Sequence, residues 1–106
     1  MSAEFDNVSG LTVGAPIEIA GVPIGQVTSI VLDDTTAVVE LEIDQGYQLR
    51  DDDIASIRTK GIIGDKYLRI TPGSSEDLIE NQGKIFDTES VVDMEDIIGK
   101  IIHSLE

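Results

Sequence analysis

Thr36-Ala37-Val38-Val39-Glu40-Leu41-Glu42-Ile43 is the stretch that decides the fold class. Ala37, Val39, Leu41 and Ile43 share one side of an extended chain, and Val38, Glu40 and Glu42 share the other. That period of two marks a strand with one buried face. Just upstream, Val27 to Leu32 forms a second apolar run, and Asp33-Asp34-Thr35 between them is turn chemistry. The pair reads as an antiparallel hairpin. Its first strand alternates poorly, because Ile30, Val31 and Leu32 are all apolar. Either both faces are covered there or a bulge intervenes.

Outward from this hairpin, Pro16 to Ala20, Ile54 to Thr59 and Tyr67 to Thr71 read as further strands, and Lys84 to Phe86 as a short closing strand. Ten glycines punctuate the chain, and no helix pattern of crossover length separates these runs. The class is therefore mainly β, a small barrel or sandwich, and not a parallel α/β sheet.

Near the C-terminus the period changes. Val91, Met94, Ile98, Ile101 and Leu105 recur alternately three and four residues apart, and Ile97 and Ile102 widen the stripe. Ser90 is the expected N-cap, Asp93, Glu95 and Asp96 fall in the first turn, and Lys100 and His103 near the end. The spacing predicts an amphipathic helix over Val91 to His103. Its stripe needs cover, either from the chain's own sheet or from copies of itself. Residues 1–89 are thus expected to form the β domain and 90–104 the C-terminal helix, with Leu105-Glu106 a vector-derived tail.

The composition narrows the function. A chain of 106 residues fits one domain. With 7 basic and 21 acidic side chains its net charge is −14, which argues against nucleic acid and against electrostatic docking on an anionic leaflet. There is no cysteine, and His103 is the one histidine, so no disulfide, thiolate site or histidine-based triad is expected within one chain. No apolar run reaches the roughly 18 residues of a membrane span, and Met1-Ser2-Ala3-Glu4 does not open a signal peptide. Gly83-Lys84 and Gly99-Lys100 are each followed by isoleucine, so neither is a phosphate loop. Asp33-Asp34 and Asp51-Asp52-Asp53 lack the spacing of a calcium loop; the latter reads as a solvated turn. No catalytic residue, metal or cofactor is expected.

One segment resists a purely structural explanation: Gly61-Ile62-Ile63-Gly64. Two adjacent isoleucines flanked by glycines suit a tight loop, not a strand. A large aliphatic side chain left in water forgoes about 1.5–3 kcal/mol of burial. Either the loop folds back on the core, or the isoleucines meet lipid, ligand or another subunit.

These segments carry a family resemblance. Phe5-Asp6-Asn7-Val8-Ser9-Gly10-Leu11-Thr12-Val13-Gly14-Ala15-Pro16-Ile17 resembles the opening of the MCE (mammalian cell entry) domain, and Ile19-Ala20-Gly21-Val22-Pro23-Ile24-Gly25-Gln26-Val27 continues it. Ala55-Ser56-Ile57-Arg58-Thr59-Lys60-Gly61-Ile62-Ile63-Gly64-Asp65-Lys66-Tyr67-Leu68 is similar to the family's segment around its pore loop, and Met94-Glu95-Asp96-Ile97-Ile98-Gly99-Lys100 to the helix after the domain in single-domain members. The resemblance spans essentially the whole chain. It implies a seven-stranded β-barrel assembling as a homohexameric ring. It further implies a bacterial protein on the periplasmic face of the inner membrane, tethered by an N-terminal helix ahead of Phe5. Family members carry phospholipid between an ABC permease and ATPase and other envelope components such as a periplasmic lipid-carrier protein. Gly61, Ile62, Ile63 and Gly64 take the pore-loop positions, and Met94, Ile97, Ile98 and Ile101 fall on the helix that continues the channel. Lys60 stands where a small residue is common in the family, placing a charge beside the loop.

The rival class is a non-transporting scaffold or adhesin module whose apolar loop is buried in a protein contact. A small acidic hydrolase is a third, with no sequence feature in its favour.

Overall fold

The strand that sequence defines best is an interior strand of the sheet. In the computed structural model, which describes residues 1–80 and 82–91, β1 (Ser2–Phe5) and β3 (Val22–Asp33) flank β4 (Thr36–Ile43), both antiparallel to it. Val39 and Leu41 are buried while Glu40 and Glu42 are exposed, as the period of two requires. Asp33 pairs with Thr36, so Asp34 and Thr35 form the turn. Asp34 sits at φ 56°, a left-handed conformation that short polar side chains tolerate.

The poor alternation of β3 has its cause in a bulge: the register shifts between Val27 and Ser29. The extra residue, Thr28, lets Val27 and Ile30 both face the core. Beyond Ile30 the hairpin outruns the core, and Val31 and Leu32 are exposed. At its other end β3 meets β2 (Pro16–Ile19) through Ala20 and Gly21, both at positive φ, the primed turn that matches strand twist. Next to β2 runs β6 (Lys66–Thr71), parallel, and β5 (Ile54–Thr59) is antiparallel to β6.

Closure comes from one short run. β7 (Lys84–Ile85) pairs with β1 at one edge of the sheet, and β8 (Asp87–Glu89) pairs with β5 at the other. The order is β7-β1-β4-β3-β2-β6-β5-β8. A single residue, Phe86, separates β7 from β8, so this one run joins both edges and closes the sheet into a barrel. The seven expected strands are present as seven chain runs, the last divided in two. The expected strand Lys84–Phe86 covered only its first half: Ile85 is buried, whereas Phe86 is exposed and outside either strand. Side chains fasten the seam. The Thr88 hydroxyl donates to the Glu4 carbonyl at 2.8 Å, and the Ser90 hydroxyl accepts the Asp6 backbone N–H at 2.9 Å.

β1 was absent from the sequence reading. Ala3 and Phe5 on it are almost fully buried, joining Ile17, Val39, Leu68 and Ile85 in one core cluster. Each large aliphatic there contributes about 1.5–3 kcal/mol by leaving water. The predicted C-terminal helix, with Met94, Ile97, Ile98 and Ile101, lies outside the described residues apart from its expected cap Ser90 and Val91. Val91, first of the stripe, packs against the barrel core.

Candidate functional site

β5 and β6 pair without interruption from Ile54↔Thr71 to Thr59↔Lys66. Alternation sends Ala55, Ile57, Leu68 and Ile70 into the core. Ser56, Arg58, Tyr67 and Arg69 take the opposite face. The hairpin ends in residues 60–65. The Lys60 N–H donates to the Asp65 carbonyl at 3.0 Å and closes the loop at its base. Gly61 sits at φ 69°, and a Cβ on Gly64 would overlap the Lys60 carbonyl oxygen. The two glycines are therefore geometric requirements of this turn.

The loop carries Ile62 and Ile63 at its tip, 94% and 95% exposed, the most exposed large apolar side chains among the described residues. They do not fold back on the barrel. Together they leave about 3–6 kcal/mol of burial unrealised in the single chain. Gly61, Ile62, Ile63 and Gly64 thus form a tight loop, as the glycine-flanked pair predicts.

Lys60 does not point its charge along this tip. Its Nζ lies 2.5 Å from Glu18 Oε2 on β2, a carboxylate only 5% exposed. The contact is an ion pair, not an aligned hydrogen bond. The same ammonium sits 5.2 Å from the centre of the Tyr67 ring. Arg69 also lies over that ring and donates to the Tyr67 hydroxyl at 2.9 Å. Glu18, Tyr67 and Arg69 were not singled out from sequence. Glu18 between Ile17 and Ile19 reads as an ordinary outward residue of a strand, and only the β2–β6 pairing, which sets Glu18 beside Arg69, brings it under Lys60.

Four of the seven basic side chains, Arg58, Lys60, Lys66 and Arg69, fall within this hairpin. Arg58 pairs with Glu89 at 3.4 Å, and Lys66 Nζ donates to the Thr59 hydroxyl at 2.5 Å. The apolar tip therefore stands on a basic stem in a strongly acidic chain.

The acidic stretch before β5 is not the solvated turn expected. Asp53 is 2% exposed and accepts the backbone N–H groups of Arg50 at 2.9 Å and Gly73 at 2.7 Å. Asp52 accepts those of Ser74 at 2.9 Å and Ser75 at 3.1 Å. The Ser74 N–H foremost, helped by that of Ser75 and the Arg50 charge and opposed by partial desolvation, holds the Asp52 carboxyl below its ordinary range. These carboxylates are structural ties between two loops. A concavity of about 900 Å³, lined by Leu41, Ile43, Tyr47 and Leu78 among others, opens elsewhere and includes no residue of the 60–65 loop.

Known proteins resemble this chain in sequence and fold. The chain is 36% identical to the intermembrane phospholipid transport system binding protein MlaD of Haemophilus influenzae, over 97% of this chain and 65% of that protein. It is 37% identical to the protein of the same name from Escherichia coli K12, over 95% of this chain and 60% of that one. The chain thus spans somewhat under two thirds of the length of these relatives. Among solved structures, a chain of the Acinetobacter MlaFEDB complex in its ATP-bound Vtrans1 conformation superposes with a TM-score of 0.87 at 26% identity, covering 95% of this chain and 79% of that one. The family described as MlaD protein matches residues 1–73, which contain every strand from β1 to β6 and the whole 60–65 loop, and the chain belongs to that family.

Proposed function

We propose that this chain is the phospholipid-binding subunit of a bacterial intermembrane transport system, and that Ile62 and Ile63 contact acyl chains. The observation that carries this reading is the loop itself: two isoleucines held almost wholly in solvent by a closed turn that has no need of them for its own stability. The relatives named as phospholipid transport binding proteins give the occupant its chemistry. Acyl chains ask for apolar contact and no directed hydrogen bond, and each methylene shielded from water contributes about 0.8 kcal/mol.

In this reading six copies form a ring and their loops converge on a central apolar pore, flanked by Gly61 and Gly64. Met94, Ile97, Ile98 and Ile101 extend the channel below it. The chain binds and hands over lipid and catalyses no reaction. The energy comes from an ABC permease and ATPase, and a periplasmic lipid carrier exchanges lipid with the ring. A tether ahead of β1, whose Ser2–Phe5 are already built into the barrel, would hold the barrel at the periplasmic face of the inner membrane. Native mass spectrometry of protein purified under mild conditions tests the proposal. Six-subunit species carrying phospholipid mass are expected; a chain that is lipid-free in every oligomeric state overturns it.

A further inference from the structure

Among the described residues, Lys60 makes three contacts that constrain the 60–65 loop. The Lys60 N–H ties to Asp65, its carbonyl oxygen fills the space that Gly64 leaves, and its side chain reaches back to Glu18. The first two close the loop on itself. Among the described residues, the Lys60 side chain is what fastens the loop to the barrel wall, because Glu18 belongs to β2 and lies beside Arg69 of β6, with Tyr67 of β6 under the ammonium. A carboxylate this buried is stable when charged only if a cation stays with it. Tyr67 forms the floor under the ammonium and is itself nearly buried beneath Lys60 and Arg69.

We infer that the Glu18–Lys60 ion pair is a positioning device for the apolar loop: it sets the direction of the Ile62–Ile63 tip and holds a positive charge away from the acyl path. Glu18 and Lys60 are positioning residues here, since neither needs to touch lipid. The inference rests on the lipid reading of the loop. Without the pair, the Lys60 ammonium, half-exposed already, takes up water and swings free. The loop then loses its tie to β2, and a hydrated charge joins two isoleucines whose contact with an acyl chain depends on excluding water.

The test compares the native chain with Glu18→Gln, which keeps the shape and removes the attraction, and with Lys60→Arg, which keeps the charge. Two readouts separate this inference from the one beneath it. Amide hydrogen exchange at Lys60, whose N–H is held by the Asp65 carbonyl at the loop base, needs no lipid. It should rise about fivefold in Glu18→Gln while β1 to β4 stay protected, and remain near native in Lys60→Arg. Crosslinking to phosphatidylethanolamine bearing a photoactivatable acyl chain, with the modified residue mapped, reports lipid at Ile62 and Ile63. It should fall about tenfold in Glu18→Gln and persist in Lys60→Arg. Failure of the native chain to crosslink there sinks the lipid reading, while the exchange data still judge the tie. Unchanged loop exchange in Glu18→Gln overturns the tie, and raised exchange with undiminished crosslinking overturns its role in lipid contact. Should Glu18→Gln not fold, Lys60→Gln, altered at the half-exposed partner, tests the tie: loop exchange should rise as in Glu18→Gln while crosslinking falls less, since no cation is freed, and unchanged exchange overturns the tie.

Discussion

Two loops bracket β5, and they invert the usual rule of what belongs inside. The loop before it is made of aspartates, yet Asp53 is buried. The loop after it is tipped with isoleucines, yet both stand in solvent. Backbone hydrogen bonding explains the difference. Arg50, Gly73, Ser74 and Ser75 present N–H groups with no strand partner, and the carboxylates of Asp52 and Asp53 satisfy them. The 60–65 loop satisfies its own base through Lys60 and Asp65. Its tip is therefore free to carry side chains chosen for something other than folding.

The sharpest way to break this contrast is to make the second loop polar too. Ile62→Glu with Ile63→Glu removes two apolar contacts and adds two charges. If each isoleucine contributes about 1.5–3 kcal/mol to lipid contact, phospholipid retention should fall about a hundredfold or more. Stability should stay within about 0.5 kcal/mol, since neither side chain touches the core. Bound lipid per subunit and the urea midpoint check the two halves together. A loss of stability without loss of lipid would mean that the tip serves folding, and the contrast would vanish.

The opposite experiment makes the first loop apolar. Asp53→Ala strands the N–H groups of Arg50 and Gly73 in a buried site, at a cost of about 2–4 kcal/mol. Urea unfolding should show a lower midpoint, with lipid retention by the folded fraction unchanged. Gly64→Ala is milder and acts on the second loop. Its Cβ meets the Lys60 carbonyl oxygen, so the turn opens and global stability falls by about 1 kcal/mol. Raised amide exchange at Lys60, impaired lipid transfer and intact assembly are the expected results; transfer at the native rate would show that the loop tolerates a different turn.

How much of this was legible in the sequence follows the range of the forces involved. β4 and β5 were read with their observed bounds, because period and turn chemistry are local. The 61–64 loop stood out for the same reason. β1 escaped because Ser2–Phe5 is too short to show a period, and it is a strand only through β4 and β7. The division of the last run at Phe86 is likewise a property of two sheet edges meeting, not of Lys84 to Glu89 alone. Asp53 and Glu18 looked like surface acids for a related reason. Their burial depends on N–H groups some 20 residues away in one case, and on a lysine from another hairpin in the other. Family resemblance supplied the strand count, which periodicity could not, and it is the source of the loop reading proposed above.

The smallest predicted effect probes the two aspartates against each other. Asp52 is less buried than Asp53, so its charge is more screened by solvent. Its carboxyl nonetheless titrates below the ordinary range, chiefly because the Ser74 N–H prefers the ionised form. In the unfolded chain the same group returns to the ordinary carboxylate range. Between those two values the unfolded state binds more protons, so stability rises with pH. The contribution is complete above the unfolded value and disappears as pH falls through the lower folded one. Asp52→Asn keeps an acceptor for Ser74 and does not titrate. Urea midpoints measured through the acid range should therefore rise less steeply with pH in this variant than in the native chain, and the gap should shrink in high salt as far as the Arg50 charge contributes. Parallel curves would mean that the Asp52 tie is absent in solution. The order of the first loop would then rest on Asp53 alone, as a buried group engaged by two backbone donors could by itself provide.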